Sequence, residues 1–231
     1  MEDILCNNIK VLRFVNTPVP SNTYLLIQKE KKSCVVIDPG TKEQSELCNY
    51  IQSHDLNLDY IILTHEHFDH CWGVNYLLNS FPAKVIATRL CAEWVQTPMN
   101  YFNLLYFNSD DYYQIKQVDV NVEDVDGKLM WGDTLFVFIS TPGHTNKGVC
   151  VEIGGCLFTG DTLLYRTKIA LKKRYGASKS DLQMSIEKIY HTYPSETKVY
   201  PGHGEPFLLK ETEGFYCNYF KSKDKETSQI T

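Results

Sequence analysis

The stretch of seven residues at positions 64–70 reads Thr-His-Glu-His-Phe-Asp-His and combines three imidazoles with two carboxylates. A packed helix or strand rarely contains so many polar groups, because burying each one without a hydrogen-bond partner destabilises the fold. The apolar run directly before it, residues 60–63, is typical of a short buried strand. We therefore expect a metal site at the end of a buried strand, and this expectation constrains the fold more than any other feature.

The same arrangement recurs at three later points of the chain. An apolar segment ends in Thr-Pro-Gly before His144, in Thr-Gly before Asp161 and in Tyr-Pro-Gly before His203. Gly and Pro suit these positions because they set sharp exits from a sheet. Loops at sheet ends commonly hold catalytic groups. We expect these side chains to meet His65 in one site.

The spacing of the donors divides them into two sets. In an extended stretch, residues i and i+2 point to the same side, so His65 and His67 can bind one cation. Asp69 and His70 are adjacent and need a turn to converge, as at the first turn of a helix. The predicted ligands are His65, His67 and His144 for one ion and Asp69, His70 and His203 for the other, with Asp161 bridging both.

The donor types indicate the cofactor. Imidazole and carboxylate ligands without a thiolate suit zinc, with iron or manganese as alternatives. Three or four protein ligands per ion leave a position for water, which is typical of a catalytic site. We expect two divalent ions, zinc before iron or manganese. Asp69 and Asp161 are predicted to take part in catalysis as well as in metal binding.

Four motifs together resemble one known family. They are the histidine cluster at 65–70, Thr-Pro-Gly-His-Thr at 141–145, Leu-Phe-Thr-Gly-Asp at 157–161 and Pro-Gly-His-Gly at 201–204. In this order they resemble the metallo-β-lactamase superfamily, and within it the glyoxalase II-like hydrolases. The resemblance implies an α/β fold of the αββα sandwich type, with two mixed β-sheets face to face, helices outside and the metals at one edge. It also implies that Asp38 lies directly behind the metal ligands.

The resemblance implies a reaction as well. A hydroxide held between two metal ions would attack a carbonyl, and we favour a thioester of the S-acyl-thiol type because a thiolate leaves without a general acid. A small ester or lactone is the next choice. The alternatives are an iron-dependent sulfur dioxygenase with a single metal, a metal-binding protein without turnover and, less favoured, a phosphodiesterase or RNase. Only 28 residues follow His203, so the C-terminal glutathione-binding region of full-length glyoxalase II is expected to be missing or much reduced.

Two further segments bear on the substrate. Residues 165–175 are rich in tyrosine and basic side chains, and we expect Lys172, Lys173 or Arg174 to bind the anionic part of a small substrate. A solvated charged loop is the alternative. The aromatic run at 94–113 has three interpretations: a roof over an apolar acyl pocket, a homodimer surface, or core packing of an inserted helix.

Composition narrows the setting. The 231 residues carry a net charge of −5, which gives no overall attraction to nucleic acid or to anionic membranes. The eight cysteines include no C-x-x-C pair, which predicts reduced thiols in a cytoplasmic protein. Cys71, the thiol beside His70, is expected to be a small buried residue. We expect one domain at 1–220, followed by a flexible polar tail at 221–231.

The pattern along the chain predicts most of the secondary structure. Strands are expected at 22–27, 34–38, 60–63, 84–87 and 198–200, and helices at 42–53, 70–79 and 180–190, the last capped by Ser180 or Asp181. The dipeptides Asp126-Gly127 and Gly154-Gly155 predict two hairpins. The second hairpin would place Cys150 opposite Thr159, so that no disulfide joins Cys150 to Cys156.

Overall fold

Two β-sheets form the centre of the computed structural model, which describes residues 4–6, 9–122 and 127–221. Within these residues the first sheet has seven strands in chain order: β1 (Ile4–Cys6), β2 (Ile9–Val15), β3 (Asn22–Gln28), β4 (Ser33–Ile37), β5 (Asn57–Ile62), β6 (Lys84–Thr88) and β7 (Val120–Val122). Strands β1 to β4 are antiparallel and β4 to β7 are parallel. The sheet is therefore mixed, as expected.

The second sheet has six described strands: β8 (Gly127–Trp131), β9 (Thr134–Ser140), β10 (Val149–Ile153), β11 (Cys156–Gly160), β12 (Lys198–Pro201) and β13 (Phe207–Leu208). Their spatial order is β13-β12-β11-β10-β9-β8. Only the β11–β12 pair is parallel. Because β9 and β11 both run antiparallel to β10, strands β9, β11 and β12 all end at the same edge.

The helices cover the outer faces of the two sheets. They are α1 (Ser45–Ser53), α2 (Phe68–Cys71), α3 (Val74–Ser80), α4 (Arg89–Val95), α5 (Tyr101–Phe107), α6 (Lys179–Thr192) and α7 (Lys210–Lys221). Apolar side chains of α1, α3 and α4 pack on the first sheet, and those of α6 and α7 pack on the second. The predicted αββα sandwich is confirmed. In the described part of the chain, no helix has the length and apolar character of a membrane crossing.

The central strands are buried on both faces, which explains their continuous apolar sequence. Along β4, Val35 and Ile37 point between the sheets, while Cys34 and Val36 point to the helices outside. The space between the sheets is filled from the other side by aromatic residues such as Phe136. Burial of one such side chain contributes about 1.5–3 kcal/mol, so this layer fixes the distance between the sheets.

The predicted strands are present with boundaries shifted by a few residues. The Gly154-Gly155 hairpin is also present, with Val151 opposite Phe158 and Ile153 opposite Cys156. Both glycines have positive φ angles, 59° and 82°, which suit the tight turn. Cys150 is a free thiol, in agreement with the expected register.

The prediction of a hairpin at Asp126-Gly127 was wrong. The strands on either side of it, β7 and β8, belong to different sheets. Strand β8 instead pairs with β9 through a turn at Gly132, where Trp131 lies opposite Thr134. A turn dipeptide reports only local conformation, and it does not decide which strands pair beyond it.

Three helix predictions need correction. The helix expected at 70–79 is divided into α2 and α3, because the amide of Gly73 donates to the Pro39 carbonyl at 2.8 Å. The N-cap of α6 is Ser178, whose hydroxyl accepts from the Asp181 amide, and not Ser180 or Asp181. Helix α1 begins at Ser45, three residues later than expected.

Two further predictions, the reduced cysteines and the polar tail, can be compared with the structure. Cys156 takes part in a disulfide bond, so the prediction of reduced cysteines was wrong for this residue. Among the cysteines that the structure describes, the free thiols are Cys34, Cys48, Cys71, Cys91, Cys150 and Cys217. Lys221 ends α7, and the rest of the predicted tail at 221–231 lies outside the described residues.

Candidate metal centre

The predicted donors meet at one edge of the sandwich. His65 follows β5, His144 follows β9, Asp161 follows β11 and His203 follows β12. The amide of Val149 donates to the Thr64 carbonyl at 2.9 Å and joins the two sheets at this edge. The distant loops therefore lie together because the strands that carry them end on the same side.

The first set of donors forms a tight group. One ligand atom from each of His65, His67, His144 and Asp161 lies within 4.8 Å of the others. Nε2 of His144 is 2.9 Å from Nδ1 of His67 and 3.4 Å from Oδ2 of Asp161. The four donor atoms are close enough together to hold one metal ion.

The second set also approaches the carboxylate of Asp161. Ligand atoms of Asp69, His70 and His203 also lie within 4.8 Å of one another. Nε2 of His203 is 3.4 Å from Oδ2 of Asp69 and 3.4 Å from Oδ2 of Asp161. Nε2 of His70 is 3.6 Å from Oδ1 of Asp161. The carboxylate of Asp161 therefore contacts both sets.

Asp38 sets the orientation of two of the histidines. Its Oδ2 accepts hydrogen bonds from Nδ1 of His70 at 3.0 Å and from the Thr64 hydroxyl at 2.6 Å. Since that hydroxyl gives its only proton to Asp38, Nδ1 of His65 donates to the Thr64 oxygen at 3.0 Å. Both rings thereby keep a proton on Nδ1, which leaves Nε2 free to face the other donors.

Backbone carbonyls orient two further histidines. Nδ1 of His144 donates to the Ala170 carbonyl at 2.7 Å, and Nδ1 of His203 donates to the Pro20 carbonyl at 3.1 Å. In both rings Nε2 is the atom that faces the carboxylates. The loop before β3 and the segment after β11 therefore help to orient the predicted ligands.

Burial keeps two histidines of the first set, His65 and His67, neutral. Burial lowers the pKa of His65 well below its usual value, and the neighbouring His70 and His67 act in the same direction. Burial and the neighbouring His144 lower the pKa of His67 to about 3. Neutral imidazole is the form that binds a metal ion, so these two rings are ready for a cation.

The second set has the opposite electrostatics. Burial alone would lower the pKa of His203, but hydrogen bonds to Asp161 and Asp69 raise it to about 11. The pKa of His70 is raised to about 8, because Asp161 and Asp69 outweigh its burial. Burial acts to raise the pKa of both carboxyl groups, yet the charge of His70 and the hydrogen bonds from His203 lower it. Positive charge is thus strongly favoured between the two carboxylates.

Two buried atoms support a metal at this position. Within the described residues, Nε2 of His65 and Oδ1 of Asp161 are buried and have no hydrogen-bond partner. A buried acceptor without a partner is destabilising unless something else binds it. Imidazole nitrogen and carboxylate oxygen are the donors that zinc and iron accept. The residues present therefore fit a metal ion.

Two glycines allow the loops to approach this closely. A Cβ atom at Gly202 would lie 2.2 Å from Oδ1 of Asp161 and 2.8 Å from Cε1 of His70. A Cβ atom at Gly160 would lie 2.3 Å from the Thr64 hydroxyl oxygen, and its φ angle of +47° also favours glycine. Larger residues at either position would push the donor sets apart.

The basic segment borders the site through two contacts. Besides the Ala170 carbonyl, the ring of Tyr175 packs against His67 with centroids 4.2 Å apart. The guanidinium of Arg174 lies 4.7 Å from the Tyr175 ring centroid. The side chains of Lys172, Lys173 and Arg174 are exposed. Their role in substrate binding remains a prediction, and Arg174 has the most direct connection to the site.

The aromatic run at 94–113 approaches the site through the residue between His67 and Asp69. The ring of Phe68 stacks on Phe102 with centroids 3.5 Å apart and on Tyr106 at 5.3 Å. Several large apolar side chains of this run are exposed: Leu104, Leu105, Tyr106, Phe107 and Tyr112. Core packing therefore accounts for only part of the run, and the pocket and dimer interpretations stay open.

Sequence reasoning missed two neighbours of the ligands. Thr64, which relays between His65 and Asp38, was visible only as a small residue at a strand end. Tyr175 was visible only as part of a basic segment. Cys71, predicted to be buried, is buried at the end of α2, and its burial raises the thiol pKa well above the usual value.

The fold and this cluster are those of metal-dependent hydrolases built on the αββα sandwich. The family model "Metallo-beta-lactamase superfamily" matches residues 16–203. The chain therefore belongs to the metallo-β-lactamase superfamily.

Known members of this family resemble the chain over most of its length. A probable polyketide biosynthesis zinc-dependent hydrolase of Bacillus velezensis is 30% identical over 182 residues, which cover 78% of this chain and 71% of that protein. A hydroxyacylglutathione hydrolase of Vibrio cholerae is 28% identical, and the match covers 84% of this chain and 66% of that protein. The crystal structure of the protein TTHA1623 in a di-iron-bound form superposes with a TM-score of 0.71 at 27% identity, covering 87% of this chain and 96% of that one.

Proposed function

We propose that the protein is a hydrolase with two divalent metal ions that cleaves small anionic thioesters. The observation that carries this proposal is the position of Asp161. One oxygen of its carboxylate is 3.4 Å from Nε2 of His144 and 3.4 Å from Nε2 of His203, one residue from each donor set. A shared carboxylate of this kind is what two neighbouring ions require.

We propose that His65, His67 and His144 bind one ion, that Asp69, His70 and His203 bind the other, and that Asp161 contacts both. Two ions held in this way supply Lewis acidity and a water of lowered pKa. Asp38, Thr64 and the Ala170 and Pro20 carbonyls hold the imidazoles in the tautomer that exposes Nε2. The electrostatics between Asp69 and Asp161 favour positive charge where the second ion would lie.

The leaving group is the reason to favour a thioester. Predicted metal ligands cannot also give a proton to a leaving group, and the neighbouring Asp38 carboxylate is an acceptor of hydrogen bonds from His70 and Thr64. A thiolate departs without a proton from the enzyme, whereas a poorer leaving group depends on a general acid. The hydroxyacylglutathione hydrolases among the relatives point in the same direction.

The substrate's anionic part would lie near Arg174. This side chain is exposed and lies against Tyr175, which in turn packs on His67. A carboxylate or phosphate of the substrate could reach the guanidinium while its carbonyl lies over the metal centre. Lys172 and Lys173 are the neighbouring cations in the same loop.

A substrate panel with metal analysis tests the proposal. Purified protein is loaded with zinc, freed of excess metal and assayed on thioesters, lactones and phosphodiesters. We expect two ions per chain and the highest kcat/KM on an anionic thioester, with little activity in D161A. A single iron per chain together with oxygen consumption on a sulfur substrate would instead assign the protein to the dioxygenases. Preference for a phosphodiester would also overturn the proposal.

A further inference from the structure

A buried ion pair lies directly behind the first set of donors. Glu66, the residue between His65 and His67, has a carboxylate oxygen 3.2 Å from Nζ of Lys147. The Glu66 side chain is fully buried and that of Lys147 is 9% exposed. The second oxygen of Glu66 is buried and has no hydrogen-bond partner among the described residues. Lys147 is therefore the group that balances this buried charge.

Lys147 is itself held firmly. Its Nζ donates to the Asn146 side-chain oxygen at 2.8 Å and lies 4.5 Å from the ring centroid of Trp94 in α4. Its backbone carbonyl accepts from the Thr88 hydroxyl at 3.0 Å. The lysine is thus fixed to the end of β6 and to the helix that follows.

The Glu66–Lys147 pair connects the two loops that carry the histidines of the first set. The rings of His65 and His67 lie together, with centroids 4.7 Å apart, while the carboxylate between them meets Lys147. Lys147 lies three residues after His144 in the loop that follows β9. The pair therefore joins the two loops that provide the histidines of the first set. The second set is held by other contacts, those of His70 with Asp38 and of His203 with Pro20.

We propose that Glu66 and Lys147 form a positioning pair that holds His65 and His67 against His144 and so determines the affinity of the first metal site. Neither residue is one of the predicted metal ligands. The inference rests on the proposed metal sites, but it concerns metal binding alone and does not depend on which substrate is cleaved.

The test measures metal binding in the variants E66Q and K147M. Each variant is loaded with Co²⁺, titrated with a chelator and followed by the visible absorption of the bound cobalt. We expect one of the two sites to lose affinity by at least tenfold and its cobalt spectrum to change, as in H144A. The other site, identified by its loss in H203A, should keep its affinity within about twofold. Unchanged affinities in both variants, or an equal fall at both sites, would overturn the proposal.

A double variant separates positioning from stability. Removing one partner leaves a buried charge unpaired and is expected to destabilise the fold, whereas E66Q/K147M removes both charges. We expect the double variant to be more thermally stable than either single variant while its affinity at the first site stays low. The single variant K147R, which keeps the positive charge, should have a higher first-site affinity than K147M. If the double variant recovered both thermal stability and first-site affinity, the pair would have a structural role only, and the proposal would be overturned. If the single variants do not fold, the double variant and K147R carry the test.

Two controls complete the design. E93Q breaks the exposed Arg89–Glu93 pair and should leave both cobalt affinities unchanged. Wild-type protein that binds fewer than two ions would contradict the proposed function. Wild-type protein that binds two ions, with variants that bind them equally well, would contradict only the positioning role.

Discussion

The carboxylate of Asp38 accepts a hydrogen bond from Nδ1 of His70 at 3.0 Å, and through the Thr64 hydroxyl it also fixes His65. One buried aspartate therefore sets the tautomer of a histidine in each donor set. The arrangement connects the two predicted metal sites through a residue outside the two predicted sets of ligands. It explains why Asp38 occupies a buried position behind the site.

Replacement of Asp38 tests this role. In D38N the side chain loses its charge, and its amide NH2 replaces either Oδ2, which accepts from His70 and the Thr64 hydroxyl, or Oδ1, which accepts from the Thr64 amide. We expect metal affinity to fall about tenfold to a hundredfold, as for other groups that orient metal ligands. Chelator competition measures the change. The matched control is D55N, which alters an exposed aspartate paired with Lys32 and should have no effect.

The pKa values predict a pH dependence of metal binding. His203 and His70, with pKa values raised to about 11 and about 8, carry protons at pH 7 that a cation must displace. The free site binds more protons than the metal-bound site, so affinity rises with pH, by about tenfold per pH unit for each displaced proton. His65 and His67 have lowered pKa values and are already neutral.

We therefore expect the metal affinities of the two sites to respond differently between about pH 6 and about pH 8, a range that includes the ordinary pKa of histidine. Zinc affinity at the site of His70 and His203 should increase steeply, and affinity at the site of His65 and His67 should change little. Competition titrations at several pH values measure both slopes. Parallel slopes at the two sites would contradict this prediction.

Gly202 is predicted to tolerate no side chain. In G202A the new Cβ would collide with Asp161 and His70, and we expect a loss of about 1–3 kcal/mol in the free energy of unfolding. Metal content after dialysis should fall as well, since the collision displaces two predicted ligands. The control is G214A in α7, where a Cβ meets nothing within 4 Å. Its helix should become more stable by about 0.5–1 kcal/mol.

Arg174 is predicted to bind the anionic part of the substrate. In R174A we expect KM for an anionic thioester to rise roughly tenfold, which corresponds to about 1.4 kcal/mol, while KM for a neutral thioester stays unchanged. K172A and K173A should have smaller effects, because Arg174 lies against Tyr175 beside the site. K168A alters an exposed lysine of the same segment and is the control. Equal effects on both substrates would show that the segment does not recognise charge.

Local sequence patterns predicted much of the fold correctly. The apolar runs identified strands β3, β4, β5, β6 and β12, and Gly154-Gly155 identified the β10–β11 hairpin with its register. These features depend on neighbouring residues, since strand burial and tight turns impose their own residue types. The αββα architecture followed from the resemblance of four motifs to a known family.

Other features depend on packing between distant parts of the chain and could not be predicted from the sequence. The hairpin expected at Asp126-Gly127 failed because β7 and β8 join different sheets. The helix expected at 70–79 breaks at Gly73, whose amide bonds to Pro39 from another loop. The disulfide of Cys156 was likewise not expected. The hairpin and the helix were decided by pairing and contacts with residues distant in the sequence.

The sequence by itself determined which side chains are able to bind metal, because an imidazole or a carboxylate is a donor wherever it lies and strand-end turns deliver it to an edge. Only the tertiary structure decided how these donors are oriented. The tautomers set by Asp38, Ala170 and Pro20, the approach permitted by Gly202 and the pairing of Glu66 with Lys147 all arise between loops that meet when the sheets pack. Hydrogen bonds and ion pairs act over a few ångströms, so no pattern along the chain records them until folding has brought these loops together.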